Sequence, residues 1–438
     1  MSGRARIARG LQEGSLYGLL FLLPFSKAAV EIAFGVLLLG WGLERVNPET
    51  RRESAWCSAS LRLVAGAIVT FLTVCALSVM TSDYPALSAR GFVRKWLEYL
   101  LFFVIVTDVA RRPRVLGRCL AILALSSLCV AGMALAQEVA YRLTFEALDG
   151  TFPRRPLMIE WVQGQLAQST FRVHPAFTYR RMTGPYENPG DLATYLMVLI
   201  PVVLARAISG HRARRWPWWF LAVVLIGCLI RTGAQGASLG FLVGLLFMSG
   251  LRYHRSGIAA ALGVTAIGAG LLSLGMTGRL SGTLGQRLDA GGRDRLVMWQ
   301  AAWDMIEDRP ILGHGLNTFM ANYLRFRVGG ESQPRYAHNC FLQVAAETGI
   351  LGLVAFLWLL GTSLRLWWMA LARLGGSPAA RAAVLGLSGG LVAFLVQSSM
   401  DTNFYSLRQA TLFWVLAGLA TGVSITVLPS APGARRTT

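Results

Sequence analysis

Stretches of mostly apolar residues recur along the whole chain, and this recurrence limits the fold more than any other feature. A hydrocarbon core about 30 Å thick needs about 20 such residues per helix. Inside it, only helices and closed barrels satisfy their own backbone hydrogen bonds. Twelve runs qualify, at approximately 13–25, 27–43, 60–80, 91–109, 115–139, 189–208, 216–231, 234–251, 257–276, 340–366, 382–400 and 407–427. Only 15% of the 438 residues are charged, against ~25% in soluble domains. The expectation is an all-α, polytopic integral membrane protein with about twelve transmembrane helices, a single membrane domain over 1–438. The first two runs share one stretch interrupted by Pro24 and Lys27; read as one kinked span, they would invert everything downstream.

Charge decides the orientation. Lys+Arg number 42 against 22 Asp+Glu, a formal charge of +20, and every basic residue except Lys27 and Lys95 is arginine. Nucleic-acid binding needs a basic face on a polar domain, which this composition does not offer. Short loops rich in Arg stay in the cytoplasm. With twelve spans and a cytoplasmic N-terminus, twenty-two arginines fall in the seven inside segments, at least two in each, so both termini are expected inside. Arg4, Arg6 and Arg9 ahead of an apolar run resemble a signal peptide, but no small-residue cleavage site follows, which favours a retained first span.

Two outside segments are long, 140–188 and 277–339, and they hold six and eight arginines. Long loops can cross despite such charge. A solvated or headgroup-binding surface accounts for most of these fourteen; the rest are expected to converge on an anionic substrate, which arginine grips with planar, bidentate pairs. Gly236, Gly240 and Gly244, and Gly418 and Gly422, have the spacing that lets helix backbones approach closely. The six cysteines show no C-x-x-C spacing, so neither a zinc site nor a disulfide framework is expected. A G-x-x-x-x-G-K loop, an H-E-x-x-H motif and a D-x-D pair are all missing. Phosphate chemistry here would rest on arginine, with no metal and no cofactor expected.

The second long segment is the informative one. Trp299, Ala302, Trp303 and Ile306 fall at i, i+3, i+4 and i+7, predicting an amphipathic helix that Pro310 ends. Arg295, four residues before Trp299, heads that stripe and is expected to face a pocket or the bilayer interface. Gly313-His314-Gly315 reads as a turn, with Asn317 as the cap of a short second helix. The segment ends at Tyr336-Ala337-His338-Asn339. Beyond it Asn339, Gln343 and Glu347 repeat every four residues, one polar stripe on an apolar helix. A carboxylate inside a membrane needs a partner. Asn339 is read as a cap and Glu347 as neutralising an arginine. His338 sits at the mouth of the stripe beside the arginine-rich loop, and imidazole, which changes protonation near neutral pH, suits a general base.

The runs R-x-x-x-W, D-R-P-I-L-G-H-G-L-N-T-F and H-N-C-F-L-Q-V-A-A-E-T-G-I-L-G resemble the bacterial O-antigen ligase and polymerase superfamily. Gly184-Pro185-Tyr186-Glu187-Asn188-Pro189-Gly190-Asp191 is similar to the family's segment after the first long loop, with Asn188 as cap and Pro189 at the first helical position. Ser82-Asp83-Tyr84-Pro85 followed by Lys95-Trp96 fits its earlier short loop. The likeness covers about 70–360 in pieces, and 295–352 is the most diagnostic. One departure stands out. Where the family often has Ser-Arg-Gly-Ala at the entrance of a central span, this chain has Ala234-Gln235-Gly236-Ala237; Arg231, one turn earlier, is the candidate replacement.

The resemblance implies metal-independent transfer of a glycan en bloc from a polyprenyl (undecaprenyl) diphosphate carrier to lipid A-core in lipopolysaccharide biosynthesis. It places the site on the periplasmic face of a multi-pass bacterial inner-membrane protein. His338 would be the base. Arg295, Arg231, Arg181 and Arg287 would bind the diphosphate, with Gln235, Tyr336 and Asn339 as further substrate contacts. The nearest rival is an O-antigen polymerase, whose acceptor is a second carrier-linked glycan. Protein O-oligosaccharide transferases of the superfamily rank third, because the resemblance implies for them an additional region after the last helices. A flippase of lipid-linked glycans belongs to another class. It calls for charges deep in several spans and a half-symmetric sequence, whereas Glu31 and Glu347 are the main acids within the predicted spans.

Overall fold

A computed structural model describes residues 3–46, 54–112, 114–141, 181–209, 215–253, 283–327 and 335–428. In chain order its helices are α1 (Gly3–Leu22), α2 (Lys27–Val46), α3 (Arg62–Met80) and α4 (Pro85–Gly91), which runs through a π-helical stretch, Phe92–Leu97, into α5 (Glu98–Ala110). Then come α6 (Val115–Tyr141), α7 (Pro189–Ser209), α8 (Trp216–Thr232), α9 (Gln235–Tyr253), α10 (Thr283–Asp308) and α11 (Phe319–Phe326). The last three are α12 (Cys340–Arg373), α13 (Pro378–Ser398) and α14 (Leu407–Ile425). No strand occurs among the described residues. Every predicted run lies on a helix except 257–276, which falls outside the described residues. Among the described residues, five helical stretches are long and apolar enough to cross a membrane: Ala59–Met80, Val115–Ala140, Pro189–Ser209, Cys340–Gly376 and Pro378–Ser398. Ile32, Val69, Val223 and Val354 point away from the bundle, where lipid would solvate them.

The break at Pro24 is a turn between two helices. Phe25 N–H and Ser26 N–H close it on Leu22 O at 2.9 and 3.0 Å, and Ser26 Oγ accepts from Ala29 N–H to cap α2. The hairpin is antiparallel: Gln12 Nε2 donates to Gly40 O at 2.8 Å, and Arg9 Nε to Glu44 Oε1 at 2.9 Å. Arg112 Nη2 joins this cluster, donating to Gln12 Oε1 and Glu44 Oε2 at 2.7 Å. Burial and neighbouring cations there push the Arg112 guanidinium below its usual value, although Glu44 works against that.

At the opposite end, the connections predicted to face outward meet one another. Lys27 pairs with Glu187 at 3.3 Å, and Arg408 Nη1 donates to Pro24 O at 2.9 Å. Arg309 Nη2 donates to both oxygens of Asp83 at 2.9 and 3.0 Å, and Arg181 Nε to Thr232 O at 2.6 Å.

Small residues set the distances between helices, as their spacing predicts. A β-carbon on Gly240 or Gly244 would overlap the carbonyls of Ala393 or Gly389 on α13. One on Gly418 or Gly422 would press into α5 at Phe103–Val106 or Thr107–Ala110. Under the outward end lies an aromatic core in which Trp96 packs edge-on to Phe71 and Phe356 at 5.0 and 5.3 Å and stacks on Phe404 at 6.1 Å.

Helix α12 departs from the predicted single span. At 34 residues it is about 51 Å long, well beyond a bilayer core. It breaks at Gly349, whose φ of 68° and ψ of −177° suit glycine alone. The turn 310–315 fills the break. Ile350 N–H, released from Ala346, donates to Pro310 O at 2.8 Å. The carbonyls of Ala346 and Glu347 accept instead from His314 N–H at 3.1 Å and Gly315 N–H at 2.9 Å, with Ser78 Oγ adding 2.7 Å to the latter. Gly313 and Gly315 also have positive φ, and a β-carbon on either would overlap Glu347 or Ser82. The stretch from Ile350 to Arg373 is about 36 Å long and sufficient to span. Glu347, expected inside the membrane, packs with the loops predicted to face outward.

Candidate active site

The sequence pattern puts a helix start directly after His338, and Asn339 supplies its cap: Oδ1 accepts from Phe341 N–H at 3.0 Å and Leu342 N–H at 3.1 Å. His338 itself takes a left-handed backbone, φ 47°, which costs a residue with a β-carbon about 1–3 kcal/mol and marks functional sites. From there the half-exposed ring places Nδ1 3.4 Å from Asp401 Oδ1, at the long end of hydrogen bonding. Asp401 lies in the connection between α13 and α14. Its Oδ1 also accepts from Thr402 N–H at 2.8 Å, and its carbonyl accepts from Cys340 Sγ at 3.2 Å. A tautomer with its proton on Nδ1, facing the carboxylate, keeps the lone pair on Nε2, as a general base requires.

Beneath this pair sits Glu347. Oε1 accepts from Phe319 N–H and Gln343 Nε2, both at 3.2 Å, and Oε2 accepts from Asn317 N–H at 2.6 Å and Tyr405 Oη at 2.9 Å. Among the described residues no arginine neutralises it, contrary to expectation. Four donors share its charge, and Lys95 supplies the opposing field. Glu347 also takes the capping role expected of Asn317. The side chain of Asn317 is turned away, its Oδ1 accepting from Lys95 Nζ at 2.6 Å. Lys95 Nζ lies 5.1 Å from the Tyr405 ring centre, a cation–π distance. Tyr336 packs against Tyr405 at 6.2 Å. Burial first, and the Glu347 charge second, push both phenols above their usual value, so both remain donors.

The predicted arginines separate into groups. Arg181, Arg231 and Gln235 come together at the turn between α8 and α9. Arg231 is ion-paired with Glu138, and Gly233 beside them takes the left-handed conformation. Gly236 packs on Met400, the neighbour of Asp401, so this turn flanks the His338–Asp401 pair. Arg295 is half-buried on α10. The buried stripe it heads is Met298, Ala301, Ala302, Met305 and Ile306: Ala302 and Ile306 are buried as predicted, but Met298, Ala301 and Met305 take the places expected of Trp299 and Trp303, and Trp303 is 53% exposed. The cause is close packing: α10 lies against Ala337, Ala345 and Ala346, and only small or flexible side chains fit between the two helices. Arg287 lies on the first turns of α10, its side chain outside the described residues. Arg309 and Arg325 both engage Asp83, at 2.9 and 3.6 Å, and tie α10 and α11 to the loop after α3.

Sequence reasoning missed Asp401 and Lys95. An acid in the short outside connection before the last span was the available signal for Asp401. For Lys95 it was rarity, since the only two lysines, Lys27 and Lys95, both lie at this end. Asn188 is a cap as predicted, its Oδ1 accepting from Gly190 N–H at 2.8 Å. Arg408, buried on α14, stacks on Tyr186 at 4.6 Å.

No curated protein matches the chain. A family model described as O-antigen ligase matches residues 220–357. That stretch holds the α8–α9 turn, α10, the turn wedged into α12, and His338. Over residues 220–357 the chain is thus similar to the O-antigen ligase family.

Proposed function

We propose that the protein is an O-antigen ligase that moves a glycan from a polyprenyl diphosphate carrier to a hydroxyl of lipid A-core, at the periplasmic face of the bacterial inner membrane. The observation that carries this reading is the His338–Asp401 pair, with Arg181, Arg231 and Gln235 on its flank. His338 Nε2 takes the proton of the acceptor hydroxyl as that oxygen bonds to the anomeric carbon. The bond from that carbon to the phosphate oxygen breaks, and its electron pair leaves on the carrier diphosphate. Displacement by a single nucleophile inverts the anomeric centre. Asp401 holds the ring tautomer and stabilises the imidazolium that forms.

The departing diphosphate gains negative charge, which charge-assisted bonds from arginine stabilise by about 1.5–3 kcal/mol each. Arg181, Arg231 and Arg295 serve that role, with Arg287 a further candidate. Arg231 exchanges Glu138 for phosphate on binding. Tyr336 and Gln235 contact the sugars. Asn339, its oxygen committed to the cap, offers substrate its amide nitrogen.

Reconstitution with a polyprenyl diphosphate glycan, with and without lipid A-core, tests the reading. Transfer is expected only with lipid A-core present and is lost in His338→Ala while donor binding persists. Products that lengthen on the carrier without lipid A-core would make the protein a polymerase. Carrier movement with no bond formed would make it a transporter.

A further inference from the structure

Glu347 and Gln343 are fully buried, so neither reaches a substrate arriving at half-exposed His338. Their hydrogen bonds nevertheless extend to both chain segments that build the pair. Gln343 Nε2 donates to Glu347 Oε1 at 3.2 Å, while Gln343 Oε1 accepts at 3.4 Å from the N–H of Ala337, the residue before His338. On the other side, Tyr405 Oη donates to Glu347 Oε2 at 2.9 Å, and Tyr405 N–H donates to Thr402 O at 2.9 Å, next to Asp401.

Two features make these ties matter. His338 occupies a left-handed backbone that persists only where its surroundings impose it. Its ring meets Asp401 at 3.4 Å, so a small shift of either segment parts them.

We propose that Glu347 is a positioning residue for glycan transfer: through Gln343 and Tyr405 it holds the 337–339 segment and the 401–405 loop in register, so that His338 faces Asp401. The inference rests on the reading of His338 as the base. The competing role is purely structural, because Asn317 N–H and Phe319 N–H also bind this carboxylate and fix the start of α11.

Gln343→Met and Tyr405→Phe each cut one tie and leave the bonds to Asn317 and Phe319. Thr318→Val, which removes a hydroxyl bonded to the carbonyls of His314 and Gly315, disturbs the junction of the 310–315 turn with the α11 start and leaves both ties intact. In the reconstituted assay both tie variants are expected to lose about tenfold or more in kcat, with donor and acceptor KM within about twofold of wild type. Thr318→Val is expected to lower the thermal midpoint and keep kcat. Wild-type kcat in the tie variants, a loss confined to KM, or losses that follow the thermal midpoint across all three would overturn the proposal. His338→Ala run in parallel separates the two readings. If it transfers at the wild-type rate, the base assignment fails and takes the positioning role with it. If it is inactive while Gln343→Met and Tyr405→Phe are unimpaired, only the positioning role fails.

Discussion

At the residue scale, the proposed transfer depends on how a carboxylate and an imidazole divide one task. Asp401→Asn keeps the size of the ring's partner but removes the charge that fixes its tautomer. Its kcat is expected to fall by about 10²–10⁴, with KM little changed, in the reconstituted transfer assay. Arg295→Lys and Arg181→Lys test whether phosphate is held by two parallel bonds or by charge alone; a bidentate grip predicts impaired transfer in both. His338 was legible because a single imidazole stood where a polar stripe met an arginine-rich loop. Asp401 was not, since it lies 63 residues further on and reaches the ring only because Cys340 packs against the 401–404 turn. Glu347 was legible as a charge in need of a partner. Two of its four donors proved to be backbone N–H groups, which every residue but proline carries and no sequence pattern marks.

At the scale of elements, the joint between α12 and the turn 310–315 depends on glycine. Gly349→Ala combines a forbidden backbone with overlap onto the Ile311 carbonyl, and is expected to cost at least about 1–3 kcal/mol, read as a lower thermal midpoint in detergent. The same joint is sensitive to acid. His314 is buried, its Nε2 3.1 Å from Met305 O, and burial holds its pKa below the usual value. The unfolded chain therefore binds a proton at a higher pH than the folded one. Stability is expected to be constant above about pH 6.5 and to fall on acidification from there towards the lowered value. His314→Gln is expected to flatten this dependence in thermal melts across that range. Helix α10 was legible as an amphipathic element and its stripe nearly so. The difference arose because aromatic bulk at Trp299 and Trp303 marks amphipathicity, whereas close contact with Ala345 and Ala346 selects Ala301 and Met305 beside the predicted Ala302 and Ile306.

At the scale of the whole molecule, the helices of the described residues were legible because apolar length is a one-dimensional property. Contacts such as Lys27–Glu187, Arg309–Asp83 and His338–Asp401 gather the predicted outside connections at one end. In cells, cysteines placed at Glu187 and Trp303 are expected to react with a membrane-impermeant maleimide from the periplasm, and one at Arg118 only after permeabilisation. The reverse pattern would invert the topology. Which arginines converge was not legible, because that depends on how loops fold back on the bundle. The wedge in α12 bears on how such proteins can be recombined. Pulling the 310–315 turn out would leave the buried carbonyl of Ala346 and the amide of Ile350 without these partners and the carbonyl of Glu347 with Ser78 Oγ alone, and each buried orphan costs about 1–3 kcal/mol. The turn and the two helix turns it enters therefore form one exchangeable cassette. A chimera that imports a foreign loop between α10 and α12 while keeping the native 346–350 is expected to misassemble, and one that carries both pieces together to insert and fold.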